Sequence, residues 1–271
     1  MTSVRVAFLQ FAPALEPADN LERITALAEA AARDGASLLV CPEYTSSFHP
    51  RLNADMIARA QTVDGPFVHA VAALSKRLGV TIVFGLAEAV ADADKFANAA
   101  IAVDETGTII AHYQKAHLYD AFGQRESDRV VPGSLTQPPV FLHRGFTVGL
   151  QTCYDLRFPE QSRWLIDAGA EIIVVPAEWV AGENKVHHWR TLITARAIEN
   201  TCFVVAADHP GPIGIGHSMI VDPVGRELAL LADGEGYGLA DCDRELLEMT
   251  RQTNPSVKLR RFRVEPLTES R

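Results

Sequence analysis

Short apolar runs that stop abruptly at a proline or a reactive side chain recur along this chain, and amphipathic stretches separate them. "VRVAFLQF" (4–11) is rich in β-formers. Asp19 then opens a predicted helix with Leu21, Ile24, Ala28 and Ala31 on one face and Gly35 as its stop. "SLLVCP" (37–42) is a second buried strand, cut by Pro42. Together they form a β-α-β unit. The second half repeats the grammar. "FTVGLQTC" (146–153) reads as a strand, "PEQSRWLIDAG" (159–169) as a helix that Pro159 starts, and "EIIVVP" (171–176) as a strand cut by Pro176.

The intervening segments fit the same scheme. A helix over 65–79 and a strand over 80–85 are followed by a hairpin over 98–115 that turns at Glu105-Thr106-Gly107. Residues 115–137 read as a long ordered loop, a length often tied to function. A helix over 184–200, a strand over 202–208, a hairpin over 217–231 and a strand-like 236–243 precede a short helix after Asp243. A polar tail with several arginines begins near residue 253, placed to wrap the domain or a partner subunit. No segment has linker composition, so residues 1–271 read as one domain. Two β-α-β halves with hairpins between them favour two packed mixed sheets, helices outside, over one parallel sheet.

A chain of 271 residues can bury its core without disulfides or metal. A formal charge of −9 argues against nucleic acid and anionic membrane surfaces as partners. No run approaches the apolar length of a membrane span, and no targeting pattern is visible at the start. Cys41, Cys153, Cys202 and Cys242 are scattered, without a C-x-x-C pair, so neither a zinc motif nor a disulfide framework is indicated. A cytoplasmic protein is the expectation.

Three runs deliver chemistry at strand ends: "LLVCPEY" brings Glu43, "IIAHYQKAHLYD" brings Lys115, and "VGLQTCYD" brings Cys153. Open α/β sheets place ligands in the crevice beyond such ends. A thiol of ordinary pKa about 8.5 needs a base or a nearby cation to react at neutral pH. Glu43 can serve as that base if burial raises its pKa, and Lys115 can stabilise thiolate and oxyanion. The backbone N–H of Tyr154, just after the thiol, is a second candidate oxyanion donor. A histidine base is therefore unnecessary. The adjacent His187 and His188 point in different directions on a helix, which argues against a metal site there.

"CPEY" (41–44), "YQKAHLYD" (113–120) and "QTCYDLRFPE" (151–160) resemble, in order and separation, the three catalytic signatures of the nitrilase (carbon–nitrogen hydrolase) superfamily. "HHWRTLITARAIEN" (187–200) and "GHSMIVDPVG" (216–225) resemble later blocks of the same family. The resemblance implies a four-layer α-β-β-α sandwich of two mixed sheets flanked by helices, usually a homodimer and in some branches a higher homo-oligomer, with no metal or organic cofactor. It implies Glu43 as general base, Lys115 as oxyanion stabiliser and Cys153 as the nucleophile that forms a thioester. A supporting second glutamate falls at Glu126, in "RES".

Within the superfamily the motifs are most like the ω-amidase and deaminated-glutathione-amidase branch, which implies a small 2-oxo-acid amide as substrate and ammonia as product. At Arg157, four residues past the thiol, the family places a carboxylate-binding arginine in its carbamoylases, and a planar guanidinium suits that task. The same side chain can instead pair internally with Asp155 or Glu160. His117 is open to a catalytic role, but the favoured reading is that it braces the loop or packs beside Asp120. The stretch "PAEWVAGENKVHHW" (176–189) departs from that branch by placing Glu178 and Trp179 where relatives line the pocket with small and aromatic residues. An acidic Glu178 would repel a substrate carboxylate or select a cationic group. An N-carbamoyl amino acid, a simple amide or a nitrile as substrate, or a non-catalytic binding protein, are the alternatives.

Overall fold

The computed structural model describes residues 2–92 and 94–267, so the last residues of the polar tail, 268–271, lie outside the described residues. The first sheet starts with β1 (Ser3–Gln10), and helix α1 (Pro17–Arg33) carries the chain to β2 (Leu38–Val40). Two helices follow, α2 (Ala54–Arg59) and α3 (Pro66–Leu78), then β3 (Thr81–Ala89), β4 (Phe96–Val103), β5 (Ile109–Gln114) and the two-residue β6 (Val130–Val131). The second sheet is built from β7 (Val140–His143), β8 (Phe146–Leu150), helix α4 (Pro159–Asp167), β9 (Ile172–Pro176), helix α5 (Lys185–Asn200), β10 (Phe203–Ala207), β11 (Ser218–Val221) and β12 (Glu227–Leu231). The chain then returns as β13 (Gly236–Asp243) to the edge of the first sheet and ends in α6 (Arg244–Thr253).

The strand orders are β13-β1-β2-β3-β4-β5, with β6 beside β4, and β12-β11-β10-β9-β8-β7. In each sheet three central strands run parallel, β1-β2-β3 in one and β8-β9-β10 in the other, and the flanking strands pair antiparallel except β6, which pairs parallel with β4. Alternation along β1 sorts the layers. Val4, Val6 and Phe8 face the second sheet in a shared core with Val148, Val174, Phe203 and Val205. Ala7 and Leu9 face the other way, against Ile24 and Ala28 of α1 and Val71 of α3. On the far side, Ile173, Val175 and Val204 pack under α4 and α5, where Trp189 is wholly buried. The result is the α-β-β-α sandwich that the resemblance implied.

Two details differ from the sequence expectation. The 115–137 segment is not wholly loop: it holds a 3-10 turn at Glu126–Asp128 and the strand β6 paired with Phe96 and Ala97. The six-residue α2, capped by Asn53 accepting from the Met56 N–H, is too short for its apolar period to show in the sequence. Among the described residues no helix is long and apolar enough to cross a membrane.

Candidate active site

The parallel strands of both sheets run out toward one crevice. Past β2, the Cys41 N–H still pairs with Val83 at 2.8 Å, Pro42 ends the ladder, and Glu43 turns inward. The next residue, Tyr44, has φ of 55°, and its backbone presses on Gly85 of β3. A Cβ at Gly85 would lie 2.3 Å from the Tyr44 nitrogen, so only glycine leaves room for this turn. The Glu43 carbonyl is held by His209, whose ring N–H donates to it at 2.8 Å, and burial lowers that histidine's pKa to about 4. Lys115 follows β5 with its N–H on the Asn98 carbonyl at 2.8 Å and its own carbonyl accepting from Gly133 at 2.9 Å. Cys153 opens a five-residue 3-10 helix past β8 with φ of 45°, a left-handed conformation that a non-glycine residue adopts at a cost of about 1–2 kcal/mol.

Lys115 is enclosed between two carboxylates. Its ammonium donates to Glu43 Oε1 at 2.9 Å and to Glu126 Oε2 and Oε1 at 2.9 and 3.2 Å, and the three side chains are at most 5% exposed. Glu126 also accepts from the Tyr44 hydroxyl at 2.5 Å, Asn98 Nδ2 at 2.9 Å and the Tyr119 N–H at 2.6 Å. Glu43 has fewer partners: Asn98 Nδ2 at 2.6 Å and the Glu178 N–H at 2.7 Å, besides the lysine. This inequality separates two similar groups. Burial pushes the Glu43 carboxyl above the ordinary glutamate value of 4.5 despite Lys115. Burial pushes Glu126 the same way, but Lys115 and the Tyr44 and Tyr119 donors outweigh it, so Glu126 stays ionised below that value. The same carboxylates overcome the burial of Lys115 and hold it protonated well above 10.5.

Burial, followed by the Glu43 charge, raises the Cys153 thiol well above its ordinary pKa. The thiol therefore rests protonated, with Sγ 3.4 Å from the Glu178 carbonyl. The Glu178 backbone thus spans the two groups, its N–H on Glu43 and its carbonyl toward Cys153. Asp155, two residues past the thiol and wholly buried, fixes the turn. It accepts from the Thr152 N–H at 2.9 Å, the Tyr113 hydroxyl at 2.8 Å and His117 Nδ1 at 2.7 Å. His117 therefore packs beside Asp155, and against Phe158 at 3.8 Å, rather than beside Asp120, which accepts from Ser127 instead. Glu43, Lys115, Glu126 and Cys153 all line one open cleft of about 560 Å³, of the size that small-molecule sites occupy.

The expected substrate-side residues surround Cys153. Tyr154, Arg157, Glu178 and Trp179 line a crevice beside the thiol, with Tyr119 and Lys185. Arg157 pairs with neither Asp155 nor Glu160 among the described contacts. Its guanidinium lies 4.7 Å from the Trp179 ring centre, 5.3 Å from Phe122 and 6.0 Å from Tyr154. Glu178 is half-buried beside the thiol. Burial, then the nearby Glu43 charge, raises its carboxyl well above 4.5, and its enclosed Oε1 has no hydrogen-bond partner. Asn98, Tyr44 and Lys185 escaped the sequence reading. Asn98 did leave a signal, as the one polar side chain in the apolar strand "FANAAIAV".

An α-β-β-α sandwich that gathers a thiol, an ammonium and two carboxylates at its strand ends is a nitrilase-like enzyme fold. The chain belongs to the carbon–nitrogen hydrolase family, whose profile matches residues 5–252, and it is a hydrolase of the amidase type. It is 38% identical over 258 residues to a deaminated glutathione amidase of Escherichia coli O157:H7, covering 95% of this chain and 97% of that one. It is 34% identical over 270 residues to the deaminated glutathione amidase of Rattus norvegicus, covering 94% and 82% of the two chains. A solved mutant of the amidase from Nesterenkonia sp. AN1, in which acrylamide has added to the active-site cysteine, matches with a TM-score of 0.79 at 30% identity. It covers 94% of this chain and 100% of that one.

Proposed function

We propose that the protein hydrolyses the terminal amide of a small carboxylated amide, most simply a 2-oxo-acid amide, through a thioester on Cys153. The observation that carries this reading is the buried Lys115, held between a weakly and a strongly stabilised carboxylate beside the thiol. Glu43 takes the Cys153 proton as sulfur attacks the amide carbon. The carbonyl π electrons move onto oxygen, and the Lys115 ammonium and the Tyr154 N–H stabilise that oxyanion. Collapse breaks the C–N bond, the leaving nitrogen takes the proton from Glu43, and ammonia departs. Water then gives a proton to Glu43 and attacks the thioester, and sulfur leaves to recover that proton. Glu126 keeps Lys115 charged and placed throughout. The adduct on the cysteine of the Nesterenkonia amidase supports the nucleophile, and the names of the two relatives support the substrate class.

Ammonia release from 2-oxoglutaramate, deaminated glutathione, an N-carbamoyl amino acid, an aliphatic amide and a nitrile tests the reading, with Cys153→Ala as control. Preferred turnover of a 2-oxo-acid amide, lost in the variant, is expected; a preference for carbamoyl or nitrile substrates overturns the substrate class. The same reading includes a homodimer, supported by the exposed apolar side chains of Met249, Leu259 and Phe262. Sedimentation equilibrium showing only monomer at micromolar concentration would overturn that part.

A further inference from the structure

Lys185, at the start of α5, is an unusual place for a cation. Its side chain is only 6% exposed, and among the described residues its ammonium makes no ion pair. Its polar partner is the Tyr119 hydroxyl at 2.6 Å, and the rest of its surroundings is aromatic: Phe122 at 4.1 Å and Tyr119 at 4.9 Å from the ring centres. Arg157 lines the same crevice and is half-buried. Its Nε is buried without a partner, and its Nη2 reaches only His188 Nδ1, at 3.4 Å. Two cations lining one crevice, one of them buried without a counter-ion, carry an electrostatic cost that a bound anion would relieve. The one carboxyl lining the crevice, Glu178, pairs with neither cation among the described residues, and its Oε1 has no hydrogen-bond partner.

We infer that Lys185 and Arg157 together form the receptor for the substrate carboxylate, with Lys185 a specificity-determining residue of the amidase. This deepens the reading above and rests on it for the reaction. Both cations line the crevice with Cys153, so a carboxylate held there lies on the acyl side of the scissile amide. Crevice space is about 10 Å³, room for one water, and the Phe122 ring lies against both cations. Phe122 is 64% exposed, on a left-handed backbone beside Gly123, and is the group that gives way when the carboxylate enters. The tyrosine hydroxyl that now accepts from Lys185 is then free to donate to the same anion.

The test uses two readouts on the full chain. In turnover, Lys185→Met should lower the preference in kcat/KM for glutaramate over its methyl ester by about tenfold to a hundredfold, mainly through KM. Lys185→Arg, which keeps the charge, should restore part of that preference. Equal losses on acid and ester in Lys185→Met overturn the inference. In binding, glutarate should slow iodoacetamide alkylation of Cys153 in the wild type, and Lys185→Met should need about tenfold more glutarate. Protection that is absent, or unchanged in the variant, also overturns it. Protection with no amide turned over supports the anion site while sinking the proposed reaction.

Discussion

The two glutamates on Lys115 differ in the donors that hold them, and the pH profile should report it. Glu43 acts as a base only when ionised, so kcat/KM should rise with pH through the Glu43 pKa. That acid limb should lie above the ordinary glutamate value of 4.5, because burial disfavours the charged form. Lys115 is held protonated well above 10.5, so it contributes no loss of activity near neutrality. Asn98 Nδ2 donates to Glu43 and Glu126 together and favours their ionised forms. Replacing it in Asn98→Leu should move the acid limb up by about one pH unit and lower kcat. A limb that stays in place would show that Glu43 is not the titrating base. Glu43→Gln should leave Cys153 present but slow to alkylate with a neutral electrophile, and unchanged alkylation would remove Glu43 from that role.

At the scale of elements, the site depends on turns that regular structure does not supply. Gly85→Ala would drive a methyl group into the Tyr44 backbone and shift Glu43. A displacement of this kind should cost about a hundredfold in kcat/KM with the fold retained, as checked by circular dichroism beside the ammonia assay. Asp155→Ala would strand the Thr152 N–H, the Tyr113 hydroxyl and His117, and should cost about 3–5 kcal/mol in a urea titration. These contacts also mark how far the sequence could be read. The strands, α5 and the three reactive strand ends were legible because period and abrupt breaks are local properties. The partner of His117 was not, because Asp155 is 38 residues away and the nearer Asp120 is equally plausible by sequence. Lys185 was hidden for the same reason: a lysine opening a helix looks solvated until Tyr119, Phe122 and Trp179 close around it.

The whole molecule matters because Glu43 and Lys115 leave the first sheet while Cys153 and Glu178 leave the second. The site exists only while the layer between the sheets holds their strand ends together. Phe8 of β1 is fully buried in that layer, opposite the second sheet. All three tryptophans, Trp164, Trp179 and Trp189, belong to the second half of the chain, so their fluorescence reports the second sheet. Phe8→Ala removes a ring from the first sheet and should cost about 3–5 kcal/mol. If residues 1–271 fold as one domain, the variant should shift the tryptophan transition and the loss of activity in urea to the same lower midpoint. A tryptophan transition that stays at the wild-type midpoint while activity is lost earlier would mean that the two sheets unfold separately. The proposal of one domain would then fail, and the active site would be an interface between two.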